Sequence, residues 1–131
     1  MNSIFTKIIN REIPAYIVEE NDDYIAFLDV FPLAKGHTLI VPKKEVDYIF
    51  DLDDETYLGL QKFAKQVAVK LKKVMPCERI GVAVIGLEVP HTHIHLVPIN
   101  NVSDIDFSRP KLKFSEEEFK GIQQKIIEAK I

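Results

Sequence analysis

The sequence predicts an α+β domain built on an antiparallel sheet. Three features support this fold class: short apolar strand patterns separated by turn residues, a long amphipathic helix pattern among them, and a second, capped helix pattern near the end. Strands joined mostly by hairpins, with helices inserted between them, are typical of α+β domains. A chain of 131 residues can bury a real core, so a single domain is expected over residues 1–131.

The first three strands are predicted in the N-terminal third of the chain. The stretches YIVEE and YIAFLDV lie on either side of the turn-prone NDD and are expected to form a hairpin. The next strand pattern, HTLIVP, follows a loop that Pro32 and Gly36 mark. His37 is therefore expected at the start of a strand.

A long helix is predicted after these strands. Apolar residues recur with a helical period from Asp53 to about Met75, which is the stripe of an amphipathic helix. Acidic residues crowd its first turn and lysines its last, as the helix dipole favours. The pattern therefore indicates one continuous helix.

Two more strands and a terminal helix complete the predicted elements. The stretch RIGVAVIG is typical of a buried strand and HTHIHLVPI of a last strand, and the short connection LEVP makes the two antiparallel neighbours. Beyond Asn100, a polar loop leads to Ser115 and Glu118, which form a capping box before a helical apolar pattern.

The composition excludes several classes of function. The formal charge is −3, with lysines and acids interspersed, which argues against a nucleic-acid partner. No apolar stretch approaches the roughly 20 residues of a membrane span, and the first residues lack the apolar core of a signal peptide, so a cytoplasmic protein without a membrane partner is expected. Cys77 is the only cysteine, which excludes a disulfide within the chain and a cysteine-based zinc cluster.

Three of the four histidines lie together in the stretch PHTHIHLVP, at residues 90–98. A strand sends alternate side chains to opposite faces, so His91, His93 and His95 are expected on one face. Each neutral imidazole carries one donor and one acceptor that need partners when buried. The run therefore indicates a functional site rather than an ordinary part of the core.

Three kinds of chemistry fit this histidine run. A zinc site could use two neighbouring histidines, but His91 and His95 would lie roughly 13 Å apart along a strand. In acid/base and nucleophilic catalysis, one imidazole attacks while its neighbours donate hydrogen bonds to the developing charge, which suits phosphorus chemistry. A module that binds an anion without turnover is the third possibility. The spacing favours catalysis and leaves the other two open.

The stretch HTHIHLV resembles the signature of the histidine triad (HIT) superfamily of nucleotide hydrolases and transferases. The resemblance covers about residues 3–99 and includes the stretches EIPA, AFLD and GHTLIVPKK. It implies a HIT-like α+β fold with a five-stranded antiparallel sheet and one long helix, followed by a C-terminal extension with a helix over about residues 100–131. It also implies a homodimer in which two sheets join into one.

The resemblance implies a role for each histidine. His93 matches the nucleophile that attacks the α-phosphate of a nucleotide and is transiently nucleotidylated. His95 matches the residue that hydrogen-bonds the phosphate oxygens, and His91 a residue that stabilises the site. His37 matches a buried partner of the first triad member.

The expected function follows from these roles. It is hydrolysis, without a cofactor, of a purine nucleoside phosphoramidate or a related nucleotide conjugate, with nucleotidyl transfer as a related activity. The alternative is a nucleotide-binding protein with little or no turnover, and a metal-binding protein is third.

Residues for nucleotide binding follow from the same resemblance. Asp29 matches the acid that accepts hydrogen bonds from the ribose hydroxyls. Gly86 matches the glycine closest to the phosphate. The residues that match the apolar walls of the base pocket are Phe5, Ile8, Ile13, Phe27, Leu28 and Val30.

The sequence departs from the family pattern in the tail from Asn100 onward, where the resemblance fades, and in two places before it. Ser3, Thr6 and Glu45 stand where many small members have a Cys-x-x-Cys pair and a histidine that hold a structural zinc, and since hydroxyls are poor zinc ligands, no metal is predicted. The segment before the triad is short, and Glu88 replaces a serine or threonine that commonly touches the leaving group. A carboxylate there repels a phosphate unless the leaving group is cationic or the glutamate is protonated or turned away.

Overall fold

The computed structural model describes residues 2–130. Within that range, five strands form one antiparallel sheet in the spatial order β1-β2-β3-β5-β4. The strands are β1 Ile17–Glu20, β2 Tyr24–Leu28, β3 Thr38–Pro42, β4 Arg79–Ala83 and β5 Ile94–Ile99. The predicted α+β fold with a five-stranded antiparallel sheet is confirmed.

The helices within residues 2–130 are α1 Ile4–Ile9, α2 Asp54–Val74 and α3 Glu116–Glu128, with 3-10 turns at Ile49–Asp51 and Val102–Ile105. Helix α2 begins after Asp53, whose side chain accepts a hydrogen bond from the Thr56 amide, as the predicted helix start requires. Helix α1 was not predicted from the sequence. Its six residues are too few to display a helical period. No helix in the described part of the chain is long and apolar enough to cross a membrane.

One face of the sheet packs against the long helix α2. The buried stripe of α2 consists of Leu60, Phe63, Ala64, Val67 and Leu71. These side chains join residues of the central strands, among them Ile40 and Ile94, in the larger apolar cluster. Burial of this helix face is the main source of stability in the fold.

The C-terminal helix α3 belongs to the same core. Ser115 and Glu118 form the predicted capping box, and Phe119, Ile122 and Ile126 are buried in the cluster that α2 also fills. The side-chain amide of Gln123 donates a 2.8 Å hydrogen bond to the carbonyl of Ile17 in β1. The extension therefore folds onto the sheet and does not stand apart from the domain.

The opposite face of the sheet carries the short helix α1. Phe5 and Ile8 of α1 pack with Ile25, Phe27 and other buried residues of the central strands in a second apolar cluster. The Phe5 and Phe27 rings are 5.4 Å apart in an edge-to-face arrangement. This second, smaller cluster adjoins the histidine run.

Two details differ from the sequence prediction for the last strands. Strand β5 begins at Ile94, so His91 and His93 precede the strand. Strand β4 lies at the edge of the sheet and is not buried; Val82 is 61% exposed. An apolar strand has the same sequence pattern whether or not a neighbour covers it, which is why the sequence could not distinguish the two. The predicted antiparallel pairing of β4 with β5 is confirmed, with Ala83 opposite His95.

Candidate active site

The ring of His93 is fixed by the backbone carbonyl of His91 and by Phe5 of helix α1. Its Nδ1 lies 2.8 Å from the carbonyl oxygen of His91, and because a carbonyl only accepts, Nδ1 carries the proton and donates. Nε2 of neutral His93 therefore holds an unshared electron pair. The Phe5 ring stands edge-to-face against the imidazole, with centroids 5.0 Å apart. This tautomer is the one that a nitrogen nucleophile requires.

His95 receives a hydrogen bond from His37. The amide of Leu33 donates to Nδ1 of His37 over 3.0 Å, so neutral His37 carries its proton on Nε2. That Nε2 lies 3.0 Å from Nδ1 of His95 and donates to it. His95 is thereby left with its proton on Nε2, the nitrogen available to a ligand. The arrangement makes His95 a hydrogen-bond donor.

Burial keeps both of these histidines neutral. Burial, followed by the positive charges of neighbouring histidines and Lys111, lowers the pKa of His37 to about 3. Burial, together with the charge of His93, lowers the pKa of His95 to about 4. At neutral pH the His37–His95 pair is therefore uncharged, and its donor direction is set by the Leu33 amide.

His37 owes its position to the glycine before it. Gly36 has a left-handed φ of +93°, and a side chain there would bring Cβ to 2.8 Å from Cγ of Met75 at the end of α2. The side chain of Thr38 then donates to the Gly36 carbonyl over 2.8 Å. The tight turn thus places the imidazole directly before β3.

His91 is held between a strand carbonyl and helix α1. Its Nε2 donates to the carbonyl of Pro42 over 2.7 Å, so Nδ1 accepts from the Ser3 hydroxyl, also over 2.7 Å. The predicted pairing of His37 with His91 is wrong, because the partner of His37 is His95. Strand register explains the difference: Leu39 lies opposite His95, which brings the start of β3 next to the last histidine of the run.

The residues at the family's zinc positions form a hydrogen-bonded cluster. The Ser3 amide and the Thr6 hydroxyl both donate to Oε1 of Glu45, over 2.7 and 2.6 Å. The hydrogen bond from the Thr6 side chain is the first cause that lowers the pKa of Glu45, so this group is a carboxylate. Two hydroxyls, one carboxylate and His91 are a poor donor set for zinc, and the polar atoms already satisfy one another. These residues do not fit the zinc site.

Asp29 lies beside the His37–His95 pair. Its Oδ1 accepts from the Phe31 amide over 2.8 Å, and its Oδ2 is 3.6 Å from Nε2 of His37. Burial raises the pKa of this carboxyl. Ligand atoms of Asp29, His37 and His95 all lie within 4.8 Å of one another, the spacing of a metal site. Both nitrogens of His37 are already engaged, so a metal would have to break the hydrogen bond between the histidines.

The structure brings together four of the six residues predicted to line the base pocket. Phe5, Ile8 and Phe27 belong to the smaller apolar cluster, and Ile13 packs against it. The other two are not part of this cluster. Leu28 points to the α2 side of the sheet and belongs to the larger cluster, and Val30 is 48% exposed.

Gly86 and Glu88 lie in the connection between β4 and β5. Gly86 has a φ of +77°, and a Cβ there would meet open space. Glu88 is exposed, and its negative charge is one of the influences that raise the pKa of Asp29, after burial. The carboxylate therefore acts electrostatically on the candidate site without being buried in it.

Phe107 in the C-terminal extension was missed from the sequence. Its ring lies 4.7 Å from that of His95, edge-to-face, and 6.2 Å from that of His37. The resemblance to the family fades after residue 99, and an irregular segment has no period. The sequence therefore offered no signal for this contact.

Comparisons with known proteins agree with this geometry. The HIT domain family matches residues 10–102. An uncharacterised HIT-like protein of Borreliella burgdorferi is 36% identical over 131 aligned positions that cover 94% of each chain. An adenosine 5′-monophosphoramidase of Schizosaccharomyces pombe is 30% identical over 96% of each chain.

A solved structure gives the same result for the fold. The crystal structure of a Hit-like protein from Bartonella henselae superposes with a TM-score of 0.83 at 33% identity, covering 96% of this chain and 95% of that chain. The match extends through the C-terminal extension, beyond the residues that the family match covers. With its fold, its histidine run and these relatives taken together, the chain belongs to the HIT domain family.

Proposed function

We propose that the protein hydrolyses the bond between the α-phosphate of a purine nucleotide and an amine leaving group. The observation that carries this proposal is that two adjacent imidazole rings carry their protons on different nitrogens. His93 has a free electron pair on Nε2, and His95 has a proton on Nε2, with ring centroids 4.9 Å apart. A nucleophile beside a donor is what attack on a phosphorus centre needs.

The reaction then runs in two displacements. Nε2 of His93 forms a bond to the α-phosphorus, the bond from phosphorus to the amine breaks, and the amine leaves with the electron pair and a proton taken from solvent water. His95 donates to a phosphoryl oxygen as negative charge builds there. Water next attacks the phosphorus and loses a proton to the solvent, the bond to His93 breaks with its electron pair returning to Nε2, and the nucleoside monophosphate departs.

Neighbouring residues account for the rest of the substrate. Asp29, ionised or sharing a proton, accepts hydrogen bonds from the ribose hydroxyls, and the apolar cluster of Phe5, Ile8, Ile13 and Phe27 receives the base. The exposed carboxylate of Glu88 favours a cationic amine as leaving group. The phosphoramidase name of the Schizosaccharomyces pombe relative supports the same class of substrate.

The test is to incubate the protein with adenosine 5′-phosphoramidate and measure AMP release, with the His93→Asn variant as the inactive control. We expect release by the wild type only. The short segment before the triad, where Gly86 borders open space, favours a second candidate: a nucleotide-binding protein with little turnover. Tight AMP binding without release would support that candidate and overturn the hydrolase.

We also propose a homodimer in which the β4 edges of two sheets pair. Strand β4 has its outer edge unpaired within residues 2–130, and the apolar side chains on and after it, Val82, Val84, Ile85 and Leu87, are between 39% and 89% exposed. Apolar edge strands in soluble proteins are normally covered. Light scattering at micromolar concentration should give twice the chain mass of 15.0 kDa, and the monomer mass would contradict the proposal.

A further inference from the structure

The chain returns to the candidate site after its last strand. Strand β5 and the 3-10 turn Val102–Ile105 are followed by residues 106–114, which run to the start of α3. Phe107 in this segment covers His95, with the ring centroids 4.7 Å apart and the ring planes at 67°. Residues 106–114, called the strap below, therefore form one wall beside the triad.

Hydrogen bonds fix the strap at both ends. Near its start, the Arg109 side chain donates over 2.6 Å to the carbonyl of Ser103, which precedes the strap, and the amide and hydroxyl of Ser108 donate to Oδ1 of Asp106. Near its end, the Leu112 amide donates over 2.8 Å to the carbonyl of Pro32. Pro32 lies in the loop between β2 and β3, which also carries Leu33 and His37. The residues between these anchors are thus held next to the His37–His95 pair.

The strap brings the positive charge of Lys111 close to a site that contains two carboxyl groups. His37 and His95 are neutral, and the carboxyl groups of Asp29 and Glu88 are negatively charged when ionised. Burial is the main influence on the pKa values of Asp29 and His37, and the positive charge of Lys111 lowers both. The α-phosphate of a nucleotide is an anion and needs a cation or donors to replace its water.

The ammonium group of Lys111 is available for such a ligand. Its side chain is exposed, and it donates to the backbone carbonyls of Phe107 and Arg109. In the part of the chain that the structure describes, it forms no ion pair with a carboxylate, whereas Arg109 is paired with Asp104. Exchanging neutral carbonyls for a phosphate oxygen strengthens the hydrogen bond, because both partners are then charged.

We propose that Lys111 binds the phosphate of the substrate, so that the C-terminal extension supplies a specificity-determining residue to the active site. The inference rests on the proposed nucleotide hydrolase function. It assigns the extension a role beyond completing the core: Phe107 anchors the strap on His95, and Lys111 selects ligands that carry an anionic phosphate over neutral nucleosides.

The experiment compares Lys111→Gln with Lys113→Gln, which removes another exposed lysine two residues further along the strap. Dissociation constants are measured for AMP and for adenosine, and kcat/KM for adenosine 5′-phosphoramidate. Lys111→Gln should weaken AMP binding about tenfold, the usual effect of losing one charge-assisted hydrogen bond, and change adenosine binding less than about twofold. Lys113→Gln should change neither, and Lys111→Arg should retain most of the AMP affinity.

The outcomes separate this inference from the function on which it rests. If the wild type binds AMP and turns over, but Lys111→Gln matches Lys113→Gln, the role of Lys111 is overturned and the hydrolase stands. Equal losses for AMP and adenosine in Lys111→Gln would also overturn it, since the lysine would then act on the fold of the site. If the wild type neither binds AMP nor releases it from the phosphoramidate, both proposals fail.

Discussion

Nε2 of His37 donates to Nδ1 of His95 over 3.0 Å, and this single hydrogen bond decides which nitrogen of His95 faces a ligand with a proton. His37 is itself oriented by the Leu33 amide, so the donor character of His95 originates in the backbone of the loop before β3. The relation resembles the orientation of a ligand by outer partners at metal sites.

This relation predicts that His37 and His95 act as a unit. His95→Ala should lower kcat for adenosine 5′-phosphoramidate by about 10²-fold, the effect of losing one donor to developing charge. His37→Ala should lower kcat less, since His95 can still adopt the required tautomer part of the time. The double variant should be no slower than His95→Ala alone. Additive losses in this cycle would mean that His37 acts through another route.

His93 is expected to be indispensable for turnover but not for binding. His93→Ala and His93→Asn should abolish AMP release and leave AMP affinity within a few-fold of wild type, because the bond to phosphorus forms only during the reaction. Alkaline quenching of wild-type turnover should trap a nucleotidyl group on the peptide that contains HTHIH, as mass spectrometry would detect. Turnover by His93→Ala, or a label on another peptide, would contradict the assignment.

Asp29 is expected to recognise the ribose. Asp29→Ala should weaken AMP binding by about 1.5 to 3 kcal/mol, the contribution of charge-assisted hydrogen bonds to both hydroxyls. Binding of a 2′,3′-dideoxynucleotide should hardly change, which makes it the matched control ligand. Equal losses for the two nucleotides would show that Asp29 acts on the fold through its hydrogen bond to the Phe31 amide.

The pKa values of His37 and His95 predict how stability depends on pH. In the unfolded chain both rings take up protons near pH 6.5, whereas in the folded protein they stay neutral down to about 3 and about 4. The unfolded state therefore binds more protons below pH 6.5, and the free energy of unfolding should fall as pH drops, by up to about 1.4 kcal/mol per pH unit for each histidine. Above pH 6.5 these two residues should cause no change.

Urea unfolding between pH 7.5 and 4.5 measures this slope, and His37→Asn should remove the part that His37 contributes. Burial also lowers the pKa of His91, which adds to the slope in the same sense. The raised pKa of Asp29 acts in the opposite sense, since its folded form takes up a proton more readily than its unfolded form. Carboxyls with lowered pKa values, such as Glu20, add to the loss only below about pH 4.5, outside the window used. A flat stability profile across this window would contradict the assignment of neutral, buried histidines.

The geometry around His91 predicts that a zinc site can be introduced by substitution. The positions concerned are those of Ser3, Thr6 and Glu45. After dialysis, elemental analysis should find no stoichiometric zinc in the wild type. The triple variant Ser3→Cys, Thr6→Cys, Glu45→His should bind about one zinc per chain, because Nδ1 of His91 is already an acceptor fixed by the Pro42 carbonyl. Near one zinc per wild-type chain would show that hydroxyl and carboxylate ligands suffice here.

The sequence predicted the parts of this molecule that depend on period and capping. The bounds of α2, the capping box of α3 and the hairpin of β1 and β2 depend on residues that are close together in the sequence. Their patterns can therefore be recognised without knowing the tertiary structure. The alternation at His91, His93 and His95 predicted a continuous strand, which is wrong, because β5 begins at Ile94. Extended chain outside a ladder has the same alternation; here the Thr92 amide bonds to the Val46 carbonyl rather than to a neighbouring strand.

The relations that the sequence could not predict all join distant segments. The partner of His37 depends on the register between β3 and β5, which no single-strand pattern encodes. The exposure of Val82 depends on β4 being at the edge of the sheet. The contact of Phe107 with His95 depends on where an irregular segment runs after the last strand. In each case the missing information is which surfaces meet.

The docking of α3 has a consequence for how the protein can be handled. The strap is continuous with α3, and α3 is held by three buried apolar side chains and by the bond from Gln123 to Ile17. Segments of this kind open locally before the whole domain unfolds. Any bulky addition at the C-terminus that loosens α3 would free Phe107 from His95 well below the melting temperature. An affinity tag is therefore better placed where it leaves both α3 and α1 undisturbed.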